Sequence, residues 1–133
     1  MDKVDREVAL SEVNTWLEKK KIFTETKERY KDQIDMLVEA IVNGALVFKD
    51  DTYEFVHTLC FPIGEGDAIR DLTYRPRLND KLIAPFLKGV KMDDVDGRMN
   101  GLIAALTKQN RAIIESMDTT DKKIANAIGI FFM

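Results

Sequence analysis

The sequence predicts a mainly α protein of α+β character, a helical bundle with one β-hairpin near residues 45–61. Apolar residues recur at helical spacing on both sides of that region. Within it, Tyr53, Phe55, His57 and Leu59 alternate with Glu54, Val56, Thr58 and Cys60, and the aromatic and β-branched content favours a strand. Pro62, Gly64 and Gly66 then punctuate its exit.

The first helix is expected over Asp2 to Lys21, with Ala9, Val13, Trp16 and the Lys20 stem on one face and Leu10 and Leu17 beside them. Lys19, Lys20 and Lys21 fall in its last turn, where cations complement the negative end of the helix dipole. A second helix, capped by Thr24 or Thr26, carries Tyr30, Ile34, Leu37, Val38 and Ile41, and Gly44 ends it in a left-handed conformation. These elements form an N-terminal helical pair, residues 1–44, within the same unit as the hairpin and helices of residues 45–133.

Ala45 to Phe48 and Tyr53 to Phe61 make the hairpin around Lys49-Asp50-Asp51-Thr52, and Pro62 is expected to end its second strand. Two strands are marginal alone, so the hairpin must pack on helices or be extended by another subunit in a homo-oligomer. Asp67 is expected to cap a short helix through Leu72, broken at Tyr74-Arg75-Pro76-Arg77. Asn79 or Asp80 starts another short helix, with Pro85 either kinking it or lying in its first turn. After Gly89, Asp93 to Asp96 lead into a helix bearing Met99, Leu102, Ile103 and Leu106. Asn110 caps a helix with Ile113, Ile114 and Met117. Thr119 or Thr120 caps the last, which has Asp121 in its first turn and Ile124, Ile128, Phe131 and Phe132 on one face.

Composition narrows the function classes. A chain of 133 residues with 45% apolar and 32% charged residues is sized for one folded domain. A net charge of −3 gives no global attraction to nucleic acid or anionic lipid, so neither is an expected partner. No signal-peptide pattern or stretch of roughly 18 apolar residues occurs, so a soluble protein is expected, without a membrane partner. The lone Cys60 reads as a small buried hydrophobe in a reducing cytoplasm.

No motif carries catalytic, cofactor or metal chemistry, and the chain is not expected to be an enzyme. Asp94-Val95-Asp96-Gly97 resembles a piece of a calcium loop, but the first and twelfth loop positions fall on Met92 and Ile103. His57 is the sole histidine, and strand alternation puts it on the opposite face from Cys60. Gly64-Glu65-Gly66-Asp67 lacks the lysine of a phosphate loop. Arg70, Arg75 and Arg77 form a basic cluster flanked by Asp71 and Asp80. The candidate contact site is Phe131-Phe132-Met133, core if the last helix docks and an apolar patch for a partner if it projects.

The strand pair ALVF and YEFVHTLCFP, the segment GEGDAIRDL read as opening a helix, the helix GLIAALTKQN and the ending IIESMDTTDKKIANAIGIFF resemble the tail assembly chaperones of long-tailed bacteriophages. Pro62, Asp67, Leu102, Leu106, Thr107, Met117 and Asp121 occupy the corresponding places, and the match covers about residues 45–133. The resemblance implies a non-enzymatic helper in the host bacterial cytoplasm. It would bind the tape measure protein, shield its apolar segments and recruit tail tube protein during virion morphogenesis. Residues 1–44 and the insertion RPRLNDKLIAPFLKGV lie outside the match. They leave room for an alternative, a permanent virion structural or adaptor protein of the head, connector or tail.

Overall fold

A computed structural model describes residues 4–133. Helix α1 (Arg6–Lys19) buries Ala9, Val13, Trp16 and Leu17, the apolar face its spacing predicts, and leaves Leu10 exposed. The predicted start at Asp2 lies outside the described residues. The chain then departs from expectation. Instead of one helix it forms α2 (Thr24–Arg29) and α3 (Lys31–Val42), separated at Tyr30, whose backbone leaves the helical region at φ −108° and ψ 32°. The sequence TETKER of α2 buries no residue, so no packing holds it in line with α3, which buries Leu37, Val38, Ala40 and Ile41. Gly44 closes α3 with φ 80°, as predicted.

Strands β1 (Leu46–Lys49) and β2 (Glu54–Ile63) pair antiparallel, Leu46 facing His57 and Lys49 facing Glu54. The helix expected from Asp67 to Leu72 is instead a third strand, β3 (Ile69–Tyr74), antiparallel to β2 in a sheet of order β1-β2-β3. Asp67 caps nothing. It sits at φ 56° in a 3-10 turn, Glu65–Asp67, that reverses the chain between the two strands. The alternation Leu72 and Tyr74 inward, Asp71 and Thr73 outward, is a strand period that the Gly-Asp cap signal concealed. A third strand of the same chain thus extends the hairpin.

Pro62 does not end β2. The pairing of β2 with β3 shifts register between Thr58 and Ile63, and this irregular stretch accommodates the proline. Alternation along β2 keeps Phe55, His57 and Leu59 in the core and turns Cys60 to solvent, correcting its expected burial.

Beyond the sheet, Asn79 caps α4 (Asp80–Ile83) by accepting from the Leu82 amide at 2.9 Å, and Pro85 lies in the first turn of a 3-10 turn, Ala84–Leu87. Helix α5 (Val95–Thr107), capped by Asp94, is central: Gly101 through Thr107 are all buried. Gly101 is required because a Cβ there would stand 2.7 Å from the Phe86 carbonyl oxygen. Asn110 caps α6 (Arg111–Glu115) as predicted, whereas α7 (Thr119–Gly129) is capped by Asp118, which accepts from the Thr120 amide at 2.8 Å, in place of either threonine. One hydrophobic cluster joins α1, α3, the inner sheet face, α5 and α7. Among the described residues no helix is long and apolar enough to cross a membrane.

Candidate functional site

Two polar arrangements stand out, one sealed and one open. The sealed one joins β2, β3 and α7. Strand alternation turns His57 and Tyr74 inward, and α7 begins where its first turn delivers Asp121 beside them; all three are buried. Asp121 Oδ1 accepts from the Cys60 amide at 2.8 Å and Oδ2 from the Phe61 amide at 3.0 Å, at the stretch of β2 where pairing with β3 is irregular. His57 Nε2 lies 3.3 Å from Asp121 Oδ1 and Nδ1 lies 3.0 Å from the Tyr74 hydroxyl. A carboxylate only accepts, so Nε2 carries the proton and Nδ1 accepts from Tyr74. Burial lowers the His57 pKa, against the opposing pull of Asp121, and raises that of the Tyr74 hydroxyl. Each group has its partner, no side chain of the three reaches solvent, and the arrangement binds α7 to the sheet.

The open arrangement lies where the end of α1, the Pro76–Ile83 segment and the residues after α7 meet. A 3-10 turn, Ile130–Phe132, follows α7 and docks on the N-terminal helices, so the three residues singled out as a contact site part company. Phe131 is core, with its ring 5.6 Å edge-on from Trp16 and 5.8 Å from Tyr30. Phe132 is half-buried beneath Lys20, whose Nζ stands 3.2 Å from the ring centroid. Met133 is 65% exposed. Phe132 and Met133 line a cavity of about 460 Å³ with Lys19, Lys20, Lys21 and Arg77, opposite Leu78 and Ile83. A smaller recess of about 180 Å³ continues from it past Trp16 and Tyr53.

This groove is basic. Asp80 is the only acidic side chain among its lining residues, and among the described residues none of the four cations forms an ion pair. Lys20 packs over Trp16 and Phe132, and that burial, with Arg77 as a lesser cause, pushes its ammonium pKa down to about 8. The lysine triplet therefore does more than complement the end of α1.

The arginine cluster disperses. Arg70 lies 3.9 Å from Asp67, Arg75 fixes its backbone amide on the Leu106 carbonyl at 2.9 Å, and Arg77 alone enters the groove. His57 faces the core and Cys60 faces solvent, the separation their spacing predicts. Among the described residues no three His, Cys, Asp or Glu side chains are placed to hold a metal. Sequence reasoning missed Asp121 as a buried acceptor, although Asp121, Ile124, Ala125 and Ile128 share the i, i+3, i+4, i+7 face that α7 buries. It also missed Lys21, Arg77 and Ile83 as neighbours of Phe132 and Met133, because their meeting depends on tertiary docking.

No protein-family model, curated protein or solved structure matches the chain.

Proposed function

We propose that this chain is a non-catalytic assembly chaperone of the kind found in long-tailed bacteriophages. It binds the tape measure protein in the host cytoplasm and promotes assembly of tail tube protein around it. The reading rests on the resemblance over residues 45–133, and the observation consistent with partner binding is the groove of Lys19, Lys20, Lys21 and Arg77 beside Phe132 and Met133, open at the surface and, among the described residues, holding cations without ion pairs next to apolar contacts. Amphipathic helices are recognised in this way: an apolar stripe seats in a groove, and flexible methionine and lysine side chains adjust to varied sequences. The sealed His57–Asp121 network supports the same reading as the fixture that holds α7, and with it Phe132 and Met133, in place.

The test is co-expression with the long helical product of a gene neighbouring a tail tube gene, with solubility and co-purification of that product measured. The chaperone reading expects the long partner to stay soluble and co-purify. Met133→Asp should weaken its capture while leaving the melting temperature of the chaperone nearly unchanged. A long partner equally soluble without this chain, or recovery of the chain at fixed stoichiometry in purified virions, would overturn it.

A further inference from the structure

The groove has the opposite sign to the chain that carries it. The protein bears a net charge of −3, yet here Lys19, Lys20, Lys21 and Arg77 converge on a cavity with one acidic side chain, Asp80. None of the four is neutralised within the described fold. Lys20 is also partly desolvated, so an approaching anion recovers interaction that water no longer supplies. From this we infer, building on the chaperone reading, that the groove takes an acidic amphipathic helix: its carboxylates meet Lys19, Lys21 and Arg77, and its apolar side chains lie on Met133, Leu78 and Ile83.

Charge complementarity selects acidic ligands, and the lining selects a peptide over nucleic acid among them. Leu78, Ile83 and Met133 offer phosphates no partner. The ring face a base would stack on is covered, because Lys20 Nζ already stands 3.2 Å above Phe132. A cavity of about 460 Å³ accepts a few side chains from one helix face rather than the continuous track a phosphate backbone needs.

Lys20 supplies a signature that simple adhesion lacks. Its free ammonium has a pKa of about 8, with Arg77, Lys19 and Lys21 as neighbouring cations and Asp80 as the carboxylate of the same cavity. A bound carboxylate raises that pKa, so binding near pH 8 takes up a fraction of a proton. Affinity should therefore weaken as pH rises above 8.

The experiment titrates the protein with two synthetic 20-residue helices that share one leucine stripe, flanked by Glu in one peptide and Gln in the other, and with a 20-nucleotide oligo-dT. Calorimetry is run in two buffers of different ionisation enthalpy at pH 8. The Glu helix is expected to bind at least about ten-fold tighter than the Gln helix, to lose that advantage in high salt, and to give buffer-dependent heats that Lys20→Met removes. Equal binding of the two helices, tighter binding of the oligonucleotide, or a groove already filled by a second copy in sedimentation would overturn the inference. Failures remain separable. If the long partner co-purifies in the co-expression test but the Glu helix has no advantage, only the acidic-helix inference falls. If the Glu helix binds as described and no long partner co-purifies, only the chaperone reading falls.

Discussion

The His57–Tyr74–Asp121 network and the Lys19–Met133 groove are both polar sites between helix and sheet or loop, and they differ in what is left over. In the network each donor has an acceptor: two backbone amides and an imidazole N–H converge on one carboxylate, and the tyrosine hydroxyl donates to the other imidazole nitrogen. In the groove, among the described residues, four cations form no ion pair and Met133 is exposed, while Phe132 packs on Trp16 beneath Lys20. Closed polar networks rigidify a fold, whereas unspent polar and apolar surface in one concavity is what a partner can use. A buried His beside an Asp invites a catalytic reading, yet here the location of unsatisfied groups separates architecture from contact.

The comparison can be broken most severely at Asp121. Asp121→Ala strands the Cys60 and Phe61 amides and the His57 N–H, and is expected to lower unfolding free energy by roughly 3–5 kcal/mol in denaturant titration. Gly101→Ala drives a Cβ against the Phe86 carbonyl and should lose about 1–3 kcal/mol by the same measurement. Acid probes the network without mutation. Because the His57 pKa is lowered in the fold, the unfolded chain binds the extra proton first as pH falls below about 6.5, so stability must fall with pH there, by at most about 1.4 kcal/mol per pH unit. His57→Gln should flatten that slope between pH 6.5 and 5, whatever its effect on overall stability. Smallest of all, Lys20→Met should change stability by less than about 1 kcal/mol, since it exchanges a cation–π contact for an apolar one, while weakening capture of an acidic helix.

The sequence displayed what depends on local chemistry. The buried face of α1, the left-handed Gly44, the Asn79 and Asn110 caps and the β1–β2 hairpin follow from spacing and side-chain type over a few residues. What it concealed depends on competition or docking. Between Gly66 and Tyr74 a cap signal and a strand period compete, and pairing with β2 decides for the strand. The break at Tyr30 reflects α2 having no apolar face to bury, whereas Cys60 faces out because alternation along β2 gives the inward places to Phe55, His57 and Leu59. The candidate contact site was half legible. Phe132 and Met133 were visible as apolar residues, but Phe131 is core, and the cations that give the site its sign come from residues 19–21 and 77, joined only in the folded chain.

The most direct measurement is an amide chemical-shift titration of isotope-labelled protein with a segment of the long helical partner proposed for it. Binding through the groove predicts perturbations concentrated at Lys19, Lys20, Lys21, Arg77, Phe132 and Met133, with His57, Cys60, Phe61 and Asp121 unmoved. Perturbations centred instead on the exposed sheet face at Val47 and Thr73, with the groove silent, would contradict the assignment of contact to one region and architecture to the other.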